Sequence, residues 1–277
     1  MWRFAGVLLA LLIAAPVVTR AEGGTVYDFG DKAPVPGNKT WRDLLGQLFT
    51  DLRQEPRKDG RMGDFIHGKV DIRPIGKEPF EDECSVDPLE IEYIETATVE
   101  ISGKMRVIVG VTTDGDACFG ALALFDGTSA SDAKLLDAVN IQQDQNYGFG
   151  SARESDFASP LGPDARLVVA DSFHTTTSSS PDNDVLVLAT ADKLTLIGNV
   201  DAHSEFDCDH HRSLAEDPYI AVTPDFGPFD RITGYIKRVV ETVGDDCRTP
   251  TRKPIVTITR IDWRWDDTKK AYRRAGP

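Results

Sequence analysis

The chain has 277 residues, with 31 Lys and Arg against 45 Asp and Glu and a formal net charge of −14. Hydrophobic residues make up 40% and charged residues 27%, a balance that excludes a disordered acidic tail, a collagen-like chain and a multi-span membrane protein. The negative charge argues against nucleic acid or an anionic membrane as the main partner, because both require basic patches.

Residues 1–21 read as a secretory signal peptide. Arg3 supplies the positive start, residues 4–18 an almost unbroken apolar run, and Thr19-Arg20-Ala21 small side chains at the −3 and −1 positions of a cleavage site. The run is shorter than the roughly twenty residues of a membrane span, and Pro16 interrupts it. No Cys follows it, so no lipid anchor is expected, and no later segment has the apolar length of a span. The sequence therefore predicts an exported protein, periplasmic or extracellular. Removal of the leader leaves 29 basic against 45 acidic residues.

Cys84, Cys118, Cys208 and Cys247 form an even set in a chain expected to be exported, which suggests two disulfides. Three pairings are possible. Cys84–Cys118 with Cys208–Cys247 is favoured because each closes a loop of moderate size within one half of the chain. A four-cysteine metal site is disfavoured because no CxxC spacing occurs.

Residues 22–39 read as an extended leader, with Asn38-Lys39-Thr40 a formal glycosylation sequon. Trp41, Leu44, Leu45, Leu48, Phe49 and Leu52 then recur at helical spacing, which predicts one amphipathic helix packed on a sheet. Thr40 is the expected N-cap, with Asp43 placed for a capping box.

Beyond Pro56 the period changes to that of strands. Candidate strands are 65–72, 89–93, 96–101, 105–113, 119–125, 135–141, 166–173, 185–190, 194–200, 219–223, 232–243 and 255–265. Ser102-Gly103-Lys104, Asp114-Gly115-Asp116, Asp126-Gly127 and Asp192-Lys193 read as turns. Residues 57–63, 147–165 and the polar run 175–184 read as loops, the last exposed. Asp266 to Lys269 turns the chain so that Tyr272 returns beside Trp263 and Trp265. No fixed-period repeat is present. The expected fold is mainly β, an antiparallel sandwich or irregular barrel with one N-terminal amphipathic helix. The domain reading is a single large β domain over 40–277, with two β units split near 150–165 as the alternative.

The most distinctive chemistry lies between His203 and His211, where His203, His210 and His211 interleave with Glu205, Asp207 and Asp209. Imidazole with carboxylate suits a transition metal, and a disulfide at Cys208 would hold the segment. The spacing matches no recognised metal signature, so an exposed polar loop tied down by Cys208 is the plainer reading. Convergence with His67 or His174 would strengthen the metal reading.

Asp171, Ser172 and His174 offer the residue types of a nucleophilic triad, yet no GxSxG elbow exists and neighbours on a strand point apart. The acidic series Glu81, Asp82, Glu83, Asp87, Glu90, Glu92 and Glu95 lacks calcium-loop spacing and reads as a solvated strand face. Trp263, Trp265 and Tyr272 suit either a stacking groove or the core of a terminal hairpin, the latter being commoner. No phosphate-binding loop occurs.

Two functions follow. The first is a non-enzymatic binding or structural envelope protein whose partner is another protein or a small ligand, with no cofactor. The alternative is a metal-binding protein or metal-dependent hydrolase using His203, Asp207, Asp209, His210 and His211.

Overall fold

A computed structural model describes residues 30–68, 70–75, 88–113, 120–127, 133–141, 147–149, 157–173, 179–207, 211–215, 219–225, 227–244 and 250–275. Among them lie one helix and sixteen strands, arranged in two antiparallel ladders. The fold is mainly β, with a single helix and no closed barrel among the described residues. The four cysteines and the leader's apolar run fall outside the described residues.

Helix α1 (Trp41–Leu48) forms where the apolar stripe lies and buries Trp41, Leu44, Leu45 and Leu48. The Thr40 hydroxyl accepts from the Asp43 N–H at 3.2 Å, and Asp43 Oδ2 accepts from the Thr40 N–H at 2.8 Å. This capping box satisfies donors that the first helical turn leaves open. The helix ends sooner than the periodicity predicts. Phe49 is extended, at φ −116 and ψ 107, and Leu52 opens a strand. Thr50 and Asp51 are weak helix formers, and Leu52 gains Ile66 as a ladder partner while staying against the same core.

The first ladder runs in chain order: β1 (Leu52–Pro56), β2 (Met62–Ile66), β3 (Leu89–Ile101), β4 (Lys104–Thr113), β5 (Gly120–Asp126) and β6 (Leu135–Asn140). Ser102 and Gly103 make the two-residue β3–β4 turn at φ +52 and +71, the left-handed pair that matches strand twist. The strand expected at 65–72 lies earlier, at 62–66. Gly68 at φ +70 turns the chain away, and Pro74 only bridges Asn140. The two strands expected within 89–101 are one strand of 13 residues. Its register shifts between Ile91 and Tyr93, so that Ile91 and Ile94 both enter the core beneath α1.

The second ladder contains β7 (Tyr147–Phe149), β8 (Ala158–Pro160), β9 (Arg166–Phe173), β10 (Ser179–Ala189), β11 (Leu194–Asp207), β12 (His211–Ala215), β13 (Tyr219–Thr223), β14 (Arg231–Thr242), β15 (Ile255–Asp266) and β16 (Ala271–Arg274). Its path is β16-β15-β14-β12-β11-β10-β9-β7, with β13 also on β14 and β8 also on β9. Two expected loops are corrected here. Residues 147–165 contain β7 and β8. Of the run 175–184, Ser179 to Asp184 belongs to β10 and not to a loop, and residues 175–178 fall outside the described residues. Asp182, Asn183 and Asp184 are paired on both sides, with β9 and with β11. Ladder pairing supplies their backbone partners, so the polar run satisfies its main chain as a strand. Pro181, which has no N–H, falls just past the end of the β9 pairing.

Three apolar clusters stack in sequence. The first joins α1 to one face of β3, β4 and β5. The second lies between the two ladders, where Ile108, Leu122 and Leu124 meet Val168, Val185 and Val187. The third joins the far face of β9 and β10 to Val200, Ile232, Ile261 and Trp263. Strands β4, β5, β9 and β10 are therefore apolar on both faces, which explains their unbroken hydrophobic runs. Polar ties cross the layers. Buried Arg106 donates to Ala191 O at 2.6 Å and to Asp126 Oδ1 at 2.8 Å. Arg73 donates to Asp137 at 2.5 Å and to Leu194 O at 2.8 Å.

Candidate binding surface

The terminal hairpin resolves the aromatic question in favour of core. Trp263 and Tyr272 are buried. Phe229 meets Trp265 edge-on with ring centroids 4.6 Å apart, and Tyr272 donates to Asp230 O at 2.6 Å. Burial also pushes the Tyr272 phenol above its ordinary range. These rings hold β15 and β16 to the body and leave no stacking groove there.

What they anchor is a ribbon. Beyond Ile261, toward its start, β15 leaves the body while still paired to β14 through Ile255. Every residue from Ile255 to Arg260 is exposed, with Ile255 at 66%, Val256 at 54% and Ile258 at 65%. Strand β16 pairs only with Trp263 to Asp266. The other long side of β15, from Ile255 to Ile261, is thus a free edge among the described residues. Its polarity follows from one bond. Ala275 N–H donates to Asp262 O at 2.8 Å, so the backbone groups of Asp262 face β16. Backbone groups alternate sides along a strand. Val256, Ile258 and Arg260 therefore turn their N–H and C=O outward, while Thr257 and Thr259 turn theirs to β14.

One face of the ribbon carries Val256, Ile258 and Arg260 beside their cross-strand partners Val239, Lys237 and Tyr235. Tyr219 extends this face by pairing with Tyr235, with ring centroids 6.2 Å apart. Lys237, Arg238 and Arg260 lie on its two strands, and Arg252 and Lys253 directly precede β15. Residues 231–277 hold twelve Lys and Arg against six Asp and Glu, in a chain of net charge −14. Arg260 pairs with Asp262 at 3.0 Å, whereas Arg238, Arg252 and Lys253 have no ion pair among the described residues. Sequence reasoning did not single out this surface. The signals were the β-branched run Ile255-Val256-Thr257-Ile258-Thr259 and the reversed local charge, but which edge of a strand is covered depends on topology.

The His203–His211 segment is largely strand and not loop. His203, Glu205 and Asp207 stand at alternate positions near the end of β11, and His211 opens β12. Asp207 lies directly opposite His211 in the register. Asp209 and His210 fall outside the described residues, as does His174. His67 sits beside β2 in the other ladder, where its Nε2 meets Glu55 at 2.9 Å. Among the described residues no group of three His, Cys, Asp or Glu is arranged to hold a metal. Asp171 and Ser172 occupy adjacent β9 positions, opposite Asp184 and Asn183.

The acidic series divides. Glu90 pairs with Arg57, and Glu92 is exposed, while residues 81–87 fall outside the described region. Glu95 departs from the expected solvated face. It lies in line with Ala97, Val99 and Ile101 toward the inter-ladder core, and its Oε2 is buried with no hydrogen-bond partner. Burial pushes its carboxyl up to about 7. The Thr112 hydroxyl, buried on the same face of neighbouring β4, also lacks a partner.

One cleft of about 300 Å³ opens between the end of α1, the segment after β2, and β6. Leu48, Phe49, Ile66 and Leu135 supply its apolar wall. Its polar groups serve the fold. Gln47 bridges Ala133 O and the Leu135 N–H, and Arg73 and His67 are engaged as described above. A ligand site needs polar groups aimed into the cavity, and Gln47, Arg73 and His67 are instead turned to structural partners.

No protein-family model matches the chain, and no curated protein matches its sequence.

Proposed function

We propose that this chain is an exported, non-enzymatic β protein that docks a partner protein, with the β14–β15 ribbon as its recognition surface. The observation that carries the reading is the free edge of β15, which exposes Ile255, Val256 and Ile258 away from the apolar clusters. Contiguous exposed apolar side chains on a β edge favour aggregation unless something covers them. Basic neighbours keep such an edge soluble until a specific partner arrives. Export rests on the residues of 1–21, and the four cysteines would form disulfides in that oxidising setting. The test is a photo-crosslinking residue at position 258, with exposed Met62 as the control position. A discrete protein adduct at 258, absent at 62 and lost when Ile255→Ser/Val256→Ser is added to the chain carrying the crosslinker, is the expected result. Equal labelling at both positions would refute the reading.

A second reading is favoured by the register alone. Asp207 opposite His211, with His203 and Glu205 at alternate positions of the same strand, would suit a transition metal. Elemental analysis of the exported protein, compared with its His203→Ala/His211→Ala variant, tests it. Stoichiometric metal lost in the variant would support it, and absence of metal in the wild type would remove it.

A further inference from the structure

We propose that the β15 edge receives an extended, acidic polypeptide segment by strand addition, an inference that rests on the docking reading above and specifies its mode and partner chemistry. Three observations converge. The outward N–H and C=O groups of Val256, Ile258 and Arg260 form a ready template for one more strand. Paired strands alternate their side chains, so an incoming segment meets Val256 and Ile258 on one face and Ile255 and Thr257 on the other. An apolar residue at every second position of the segment complements the Val256–Ile258 face.

Charge selects the occupant. Arg238 lies on β14 opposite Thr257, and Arg252 and Lys253 directly precede β15; none of the three has an ion pair among the described residues. Residues 231–277 carry a net charge of +6 in a chain of −14. Carboxylates in the incoming segment satisfy this charge, and a basic segment is repelled. Complementary potential gives selectivity and a faster encounter more than raw affinity, so binding weakens as salt rises.

Topology supplies a clean variant. The Ile258 N–H points away from β14, so Ile258→Pro removes an outward donor and leaves the β14 ladder intact. The experiment titrates the exported protein with a fluorescently labelled peptide of alternating Val and Glu, and with a Val and Lys counterpart. Saturable, salt-sensitive binding of the acidic peptide alone is expected. It should weaken about tenfold, a loss of one or two contacts' worth of affinity, in Ile258→Pro and in Arg252→Glu/Lys253→Glu. Circular dichroism and the melting temperature confirm that both variants remain folded.

Each alternative occupant gives a different result. A concentration-dependent dimer in light scattering, abolished by Ile258→Pro, would overturn the proposal in favour of a second copy. Binding to phosphatidylglycerol vesicles that persists in Ile258→Pro would overturn it in favour of a lipid surface. Failure of both peptides, while the position-258 crosslink to a protein survives, would refute strand addition and leave the docking reading standing. Loss of the crosslink as well would remove both.

Discussion

Two residues show how local geometry fixes stability. Glu95 carries a buried carboxyl oxygen with no partner, and its proton is held up to about 7 against an ordinary 4.5. The folded chain thus keeps a proton that the unfolded chain releases. Stability accordingly falls as pH rises from about 4.5 to about 7 and is level above that. Glu95→Gln should remove this fall and raise stability at pH 8 by about 1 kcal/mol, the lower end for relieving an unsatisfied buried polar group. Denaturant unfolding at pH 5 and pH 8 would check it, and an unchanged pH slope would contradict it. Gly198 illustrates close approach. A Cβ there would stand 2.7 Å from Trp263 Nε1 and 3.3 Å from Trp263 Cε2, and Trp263 is buried and cannot swing clear. Gly198→Ala should cost about 1–3 kcal/mol by overpacking, measured as a lower denaturation midpoint.

At the scale of elements, legibility followed periodicity. The helix, its capping box, the Ser102-Gly103 turn and strands β9, β13 and β15 were readable because each rests on local residues. Thr40→Ala should remove one cap and cost about 1 kcal/mol, lowering the melting temperature by about 2–4 °C in a chain of this size. An unchanged melting temperature would mean that tertiary packing alone holds α1. Where local signals failed, a distant partner decided the outcome. Ser179 to Asp184 reads as a polar loop, yet the whole run pairs with β11 and Asp182 to Asp184 pair with β9 as well. Leu52 fits the helical stripe, yet pairing with Ile66 draws it into a strand. Glu95 reads as one of a solvated series, yet the shift at Ile91–Tyr93 and the second ladder bury it. The candidate surface was hidden for the same reason, since β16 stops short of Ile261 for reasons no window around Ile255 contains.

For the whole molecule, the apolar clusters of the described residues form a stack in which each layer covers the next, up to the β14–β15 ribbon. Helix α1 covers the first ladder, the two ladders cover each other, and the far strands cover β9 and β10. The ribbon departs from this pattern in shape, hydrophobicity and charge together. An acidic body bearing one basic, apolar edge has the asymmetry expected of a docking element. The account depends on that edge being open in the free protein. Amide hydrogen exchange of residues 255–261 tests this most directly. The predicted pattern alternates, with Thr257 and Thr259 protected by β14 and Val256, Ile258 and Arg260 exchanging fast. Protection of all five would mean that the edge is already covered, and fast exchange of all five that the ribbon does not form; either would contradict the account.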